Sequence, residues 1–284
     1  MRVTILGGSG FLGRHLAEAL RRRGDDVVVA SLRDPLTAAE ASAGSDVAVN
    51  LAGAPIAVRW TPTTKARIER SRSVLPRAYF TELASLGRHP RAYVSASAVG
   101  YYGTSRSATF TEGSAPGSDF LAHVCVRWES EATQGAERLG MRLAIVRTGM
   151  VLATDGGALP KLLPLFRLGL GGVVGSGEQW YSWIHVADAV GIYLHAIGGA
   201  TGVLNATAPH PVRNRAFTAA LARALRRPAI LPVPPFAPAL LLGEGALVVT
   251  EGQRVLPERT EASGYAFRYP ELDRALRALL PAGP

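Results

Sequence analysis

Three glycines at three-residue spacing, Gly7, Gly10 and Gly13, are the first residues in this chain whose pattern could do chemistry. They follow a short apolar run (Val3, Ile5, Leu6) and precede Phe11, Leu12, Leu16, Ala17 and Leu20, which recur at helical spacing. The order is strand, glycine-rich turn, helix. In that context Gly7 permits a tight turn, Gly10 lets a pyrophosphate approach the backbone, and Gly13 lets the helix pack against the strand. The N–H groups at the helix start, through Phe11 and Leu12 to Gly13, then face an anion. An ordinary βα turn can also use glycine, but the strand–turn–helix context points to a dinucleotide.

The residues that would meet the adenosine ribose sharpen this. A second strand, Val27–Ala30, ends in Ser31-Leu32-Arg33 with no acid at its tip. An acid there would accept from the ribose 2′-hydroxyl and favour NAD. An Arg there suits a 2′-phosphate, which a guanidinium can hold through paired charge-assisted hydrogen bonds. NADP is therefore expected over NAD, although Asp34 beside Arg33 works against it.

The remaining elements extend the alternation. Asp46–Leu51 reads as a strand ending in Asn50-Leu51-Ala52-Gly53, where small residues leave room for a ligand. Thr63–Leu86 reads as one long helix. Arg91–Ser95 reads as a strand, followed by a stretch containing Ser97, Tyr101 and Tyr102. Phe120–Leu139 reads as a helix stopped by Gly140, and Leu143–Val146 as a strand. Beyond Gly149 come a helix over Ala158–Leu168, a loop with five glycines over Gly169–Gly177, a short helix over Ala187–Ile197 and a strand over Gly202–Ala208. The alternation predicts an α/β, Rossmann-type doubly wound parallel sheet with a smaller C-terminal portion over a substrate cleft. The expected division is 1–155 for the dinucleotide-binding domain, with the strand near 202–208 returning to its sheet. Residues 156–284 would form the cleft region, including a small terminal domain from about 230. The connection Pro35–Ser45 looks too short for a full crossover, so either a strand is lost or the loop crosses the sheet edge, and adenine contacts are in question.

Composition narrows the class. The chain has 284 residues, 48% of them hydrophobic and 19% charged, which suits a soluble globular protein. Its net charge of +9 comes mainly from scattered Arg, with Lys only at Lys65 and Lys161. Scattered rather than clustered cations favour anionic small molecules over nucleic acid as partners. The single cysteine, Cys125, excludes an internal disulfide and sits in a helical pattern as a core filler. No apolar run is long enough for a membrane span and the N-terminus does not read as a signal peptide, so a cytoplasmic protein is expected. A homodimer is left open.

Longer motifs carry a family resemblance. GGSGFLG at the start, NLAGAPIAVRW from Asn50, SASAVGYYG from Ser95, WESEA from Trp128 and RTGMVLATDGGAL from Arg147 all contribute. So do FRLGLGGVVGSGEQWYSWIHVAD from Phe166, NATAPHPVRN from Asn205 and GQRVLPERTEASGYAFRYP from Gly252. In these the chain resembles extended short-chain dehydrogenase/reductases, and more closely their atypical NAD(P)-binding epimerase-family branch (nucleoside-diphosphate-sugar-epimerase-like) with a C-terminal domain of unknown function.

The resemblance implies cofactor contacts from Gly7, Gly10, Phe11, Leu12 and Gly13 at the pyrophosphate, Ser31 and Arg33 at the ribose, and Leu51, Ala52 and Gly53 beside it. It places Ser97 where relatives keep a catalytic Ser. The Tyr-x-x-x-Lys pair of ordinary members, in which Lys helps Tyr exchange a proton while nicotinamide exchanges hydride, is absent here. Matching Glu131 to the acid that often follows that Lys puts His123 in the Tyr place and Arg127 in the Lys place. Tyr101 and Tyr102 are alternative phenols, although Tyr102-x-x-x-Arg106 lies in a glycine-containing loop. Arg147, Lys161, Arg167 and Arg213 are candidate substrate or anion binders. His185 and Asp188 match a common Ile-His-Val-x-Asp segment and read as structural; with no third ligand at matching spacing, no metal is expected.

The function expected from this is an NADP-dependent oxidoreductase or epimerase acting on a small polar, possibly nucleotide-linked substrate. The alternative is an NADP(H)-binding regulatory or scaffold protein without hydride transfer, which the missing Tyr-x-x-x-Lys favours.

Overall fold

A computed structural model describes residues 1–234 and 236–280. The last four residues of the expected 156–284 region lie outside the described residues. In chain order the first half comprises β1 (Arg2–Leu6), α1 (Phe11–Arg22), β2 (Asp26–Ala30), α2 (Pro35–Ala43), β3 (Val47–Asn50), α3 (Pro62–Arg72), α4 (Val74–Ser85), β4 (Ala92–Ala98) and a 3-10 turn (Val99–Tyr102). Then come β5 (Thr109–Phe110), α5 (Phe120–Arg138), β6 (Arg142–Thr148), β7 (Met150–Leu152), α6 (Leu159–Arg167), β8 (Trp180–Tyr181), β9 (Trp183–His185), α7 (Val186–Gly198) and β10 (Gly202–Ala206). The chain continues through β11 (Val212–Arg213), α8 (Asn214–Leu225), α9 (Ala237–Leu242), α10 (Leu247–Thr250), β12 (Arg254–Val255), α11 (Glu258–Ala262) and α12 (Leu272–Leu279).

The main sheet has six parallel strands in the order β10-β6-β4-β3-β1-β2. Helices cover both faces, as the near-continuous apolar strands require. Val3, Ile5, Val49, Val94 and Val146 pack with Leu16 and Leu20 of α1 and Ile192 and Tyr193 of α7. Leu6, Ala48 and Tyr93 pack on the opposite face with Ala38 of α2, Tyr79 and Phe80 of α4, and Ala132 and Ala136 of α5. A separate core of Leu159, Leu163, Phe166, Phe217, Leu221, Leu272 and Leu276 joins α6, α8 and α12 into the smaller C-terminal portion. That portion is stitched back: β12 pairs with β5, and the buried Glu112 carboxylate accepts from the backbone N–H groups of Asn205, Arg259 and Thr260.

Because β1 lies between β2 and β3, the direction of winding reverses at β1, and the crevice above the strand ends there is where open α/β sheets bind ligands. The short Arg33–Asp46 connection does hold a helix. Asp34 caps α2 by accepting from the Thr37 N–H at 3.3 Å, and Pro35 occupies the first turn, where its missing N–H costs nothing. The crossover from β2 passes directly to β3 on the far side of β1, so no strand stands outside β2. The expected single helix over Thr63–Leu86 is two. Pro76 lacks an N–H and would clash with the carbonyl four residues back, at Arg72, so α3 ends there and α4 starts afresh at Val74.

Candidate functional site: the cleft above β1, β3 and β4

The glycine turn is built for close approach. Gly7 has φ +83°, and a Cβ there would stand 2.8 Å from the Ala52 nitrogen, so the loops after β1 and β3 touch. A Cβ on Gly13 would stand 2.5 Å from the Gly7 oxygen. The start of α1 is flanked by Gly10 with no side-chain cap and no acid in its first turn. Its leading N–H groups are therefore free to bind an anion, and the helix dipole favours one. This is the cradle a dinucleotide pyrophosphate needs, and the residues fit it.

At the end of β2, Ser31 and Arg33 are exposed. The Ser31 hydroxyl accepts from the Arg33 N–H at 3.3 Å. Asp34, the residue that argued against a phosphate here, is turned to α2: its carboxylate accepts from both the N–H and the hydroxyl of Thr37, which hold its pKa below the usual value. Leu51 donates its N–H to the Leu6 carbonyl, and Ala52 donates to Asn50 Oδ1, which fixes the small-residue bend.

The other wall differs from expectation. β4 runs on to Ala98, so Ser97 lies within the strand and is 3% exposed. Its hydroxyl donates to Glu129 Oε1 at 2.6 Å. Glu129 in turn accepts from Arg147 Nε and Nη2 at 2.8 and 2.7 Å. Arg147 also donates to the Tyr102 hydroxyl, which donates to Asn205 Oδ1 at 2.7 Å. Burial pushes the Tyr102 pKa up, only partly offset by Arg147. Burial lowers the Arg147 pKa, but the bonds to Glu129 outweigh it and hold the guanidinium above its ordinary value.

Arg147 is thus no free anion binder, and neither the Tyr102 hydroxyl nor the Ser97 proton is available to a ligand. Tyr101 is different. It is half-buried, with its ring face covered by the Arg147 guanidinium at 3.3 Å from the centroid, and its hydroxyl has no partner among the described residues.

The assignment of His123 and Arg127 also fails. Both are exposed on α5, and Arg127 reaches only Glu69, at 3.9 Å. The face of α5 turned to β4 carries Leu121 and Cys125, which would meet a Cβ on Gly100 at 3.3 and 3.9 Å, and Glu129 one turn further. Burial raises the Cys125 pKa to about 12, which keeps the thiol protonated. The apolar stripe of α5, through Ala122, Cys125, Trp128, Ala132 and Gly135, was the sequence signal that excludes positions 123 and 127 from the sheet side.

The other expected anion binders do not converge. Lys161 and Arg167 are exposed along α6. Arg213 donates to the Glu178 carbonyl and stacks 3.9 Å over Trp180. The glycine-rich loop is tied down by hydrogen bonds: Val233 donates to the Val173 carbonyl, Gly175 donates to the Val233 carbonyl, and Val174 donates to Asn214 Oδ1. His185 and Asp188 are structural. The Asp188 carboxylate accepts from the Arg268 and Tyr269 N–H groups and the Tyr265 hydroxyl. His185 Nδ1 accepts from the Ala187 N–H, and its ring stacks on Tyr269 at 3.9 Å. Among the described residues no group of three or more His, Cys, Asp or Glu could hold a metal ion, and no helix is long and apolar enough to cross a membrane.

Glu129 and Glu112 carry no sequence signal for these roles. Each takes its meaning from partners far along the chain, which no local pattern displays.

Comparison with known proteins agrees with the geometry. Residues 3–205 match the NAD dependent epimerase/dehydratase family, and residues 233–279 match a domain of unknown function, DUF1731. The chain is 41% identical to the chloroplastic epimerase family protein SDR39U1 homolog of Arabidopsis thaliana, over 99% of this chain and 87% of that protein. It is 38% identical to the epimerase family protein YfhF of Bacillus subtilis, over 99% of this chain and 98% of that one. The crystal structure of human epimerase family protein SDR39U1 (isoform 2) with NADPH superposes with a TM-score of 0.91 at 36% identity, covering 99% of each chain. With a family match across most of the chain and full-length relatives above 30% identity, this protein belongs to the NAD dependent epimerase/dehydratase family.

Proposed function

We propose that this chain binds NADP(H) and uses it in oxidoreductase or epimerase chemistry on a small polar molecule. The observation that carries the reading is the uncapped start of α1, held by Gly7 and Gly13 in contacts that leave no room for a side chain, beside an exposed Ser31–Arg33 edge. The pyrophosphate would lie on the first-turn N–H groups of α1, and a 2′-phosphate would lie on Arg33. The NADPH held by the human relative supports the choice of NADP(H).

The bound nicotinamide would supply hydride exchange. The chain must then provide a proton at the reacting oxygen, and the half-buried Tyr101, in the 3-10 turn after β4, is our candidate because its hydroxyl makes no hydrogen bond among the described residues. Ser97 can offer only acceptor lone pairs, because its proton is committed to Glu129.

A second reading, NADP(H) binding without hydride transfer, is favoured by one observation: the Ser97 proton and the Arg147 guanidinium are both held by Glu129, and the Tyr102 proton is held by Asn205. Titrating NADPH by fluorescence, then adding a panel of small carbonyl compounds, tests both. Tight binding with oxidation of NADPH that Tyr101→Phe abolishes supports the enzyme reading. Tight binding with no oxidation supports the second. No binding below about millimolar, roughly −4 kcal/mol, removes both.

A further inference from the structure

Helix α8 carries a row of cations that the cleft does not use. Arg215, Ala219, Ala222 and Arg226 recur three or four residues apart, so they share one face from the first turn to just past the last. With Arg223 and Arg227 they border an open groove of about 530 Å³, lined also by Val173 and Ala229. The sequence has no Asp or Glu anywhere between Asp188 and Glu244. Arg215 and Arg223 are nonetheless neutralised from other elements: Arg215 pairs with Glu178, and Arg223 with Asp273 of α12 at 2.9 Å. Arg226 and Arg227 are exposed and have no ion-pair partner among the described residues.

The helix dipole does not account for the row. It favours Arg223, Arg226 and Arg227 at the C-terminal end of α8 but opposes Arg215 in the first turn. The backbone is a second sign. Arg226 has φ +52°, the one positive φ outside glycine among the described residues. The Arg227 N–H donates to the Ala222 carbonyl at 3.1 Å, closing α8 in a cap where glycine is the usual residue. Strain kept at a cap that glycine would make freely points to a use for the side chain. Thr218 is a third sign. It is 3% exposed, lines the same groove, and its hydroxyl makes no hydrogen bond among the described residues. A largely buried hydroxyl is costly without a partner, and a ligand in the groove could supply one.

We propose that this groove binds a small organic phosphate, with the phosphoryl group on Arg226 and Arg227 and the apolar body against Val173, Ala219 and Ala222. Two adjacent guanidinium groups without counter-ions suit a dianion, which they hold through charge-assisted hydrogen bonds. The volume suits a small molecule, and the apolar lining adds affinity that a bare inorganic ion would not gain. None of the lining residues belongs to the loops after β1, β2 or β3, so the groove does not depend on the dinucleotide reading.

Calorimetric titration of NADPH-saturated protein with phenyl phosphate, and separately with inorganic phosphate, tests this in wild type, Arg226→Gly/Arg227→Gln and Ala219→Glu. The double variant removes both unpaired charges and gives the cap its usual glycine. Ala219 is exposed, so Ala219→Glu offers a carboxylate to the row without disturbing the core, and it serves if the double variant fails to fold. Phenyl phosphate is expected to bind wild type more tightly than inorganic phosphate does. Each variant should lose tenfold or more of that affinity while NADPH affinity stays within twofold. Arg226→Gly alone should not lower the thermal midpoint; a fall would make the side chain structural and overturn the proposal. So would no phenyl phosphate binding to wild type, an affinity no higher than for inorganic phosphate, or a loss below tenfold in the variants. A loss that carries NADPH affinity with it would place the ligand in the cleft and overturn it too. Tighter binding of a single-stranded oligothymidylate, lost in the same variants, would reassign the row to a nucleic-acid backbone. If wild type binds no NADPH, the dinucleotide reading falls, and the same titrations on the free protein still decide for or against the groove.

Discussion

Replacing Glu129 with Gln tests whether the buried Ser97–Glu129–Arg147 chain holds the fold or does chemistry. Glu129 is 8% and Arg147 3% exposed, and two guanidinium nitrogens lie within 2.8 Å of the carboxylate. Glu129→Gln leaves the shape nearly unchanged but removes the only carboxylate within ion-pair distance of Arg147 among the described residues. Breaking a buried pair from one side costs about 3–5 kcal/mol, because the remaining charge is left uncompensated. At roughly 2–4 °C per kcal/mol for a domain approaching this size, the thermal midpoint should fall by on the order of 10 °C. Removing both charges in Glu129→Leu/Arg147→Met should recover more than half of that loss, since an apolar pair of similar volume is often neutral relative to a buried ion pair. Thermal unfolding followed by circular dichroism reads both variants. A Glu129→Gln midpoint within about 2 °C of wild type would refute the reasoning, since a merely exposed pair is worth only about 0–1 kcal/mol. Turnover lost at unchanged stability would make Glu129 a participant in the reaction.

Arg33→Ala should weaken NADPH by about 10–100-fold, the range of a charge-assisted contact of 1.5–3 kcal/mol, while changing NADH little. Equal losses in a paired titration would remove the argument for a 2′-phosphate. Gly13→Ala would put a methyl 2.5 Å from the Gly7 oxygen, with backbone on both sides, and should cost about 1–3 kcal/mol in stability together with NADPH affinity. Unchanged denaturant midpoints would contradict that packing. His123→Ala should leave stability, NADPH affinity and any turnover unaltered, because the ring is exposed and makes no hydrogen bond or ion pair among the described residues.

His185 sets a pH dependence. Burial lowers its pKa to about 4 from an ordinary 6.5, with Arg268 adding to the fall and Asp188 opposing it. The unfolded chain therefore binds this proton more readily, so the stabilisation is complete above about pH 6.5 and is lost as pH falls through the interval to 4. His185→Asn should flatten that part of the stability–pH curve; an unchanged slope between pH 6.5 and 4 would show that other groups produce it.

The features legible in the sequence are those fixed by neighbours along the chain. Gly7, Gly10 and Gly13 are read correctly as a strand–turn–helix because every contact that defines the turn lies within a few residues or at the adjacent strand end. The Ala-rich Pro35–Ala43 helix escaped because its apolar pattern is weak, and because β3 lands beside β1, a course that only the sheet order reveals. Pro76 marks the break at Ser73, which an otherwise continuous helical pattern masks. Ser97, Tyr102 and Arg147 were recognised as polar groups able to do chemistry. That they spend their hydrogen bonds on Glu129 and Asn205 depends on contacts spanning 18 to 103 residues, which no spacing rule encodes.

A crystal structure of this protein grown with NADPH would show whether the α1 N-terminus and the Ser31–Arg33 edge form one NADP(H) site. The pyrophosphate is expected within hydrogen-bonding distance of the Phe11, Leu12 or Gly13 N–H groups, and the 2′-phosphate on the Arg33 guanidinium. A dinucleotide bound elsewhere, or one whose 2′-phosphate lies in solvent away from Arg33, would contradict it.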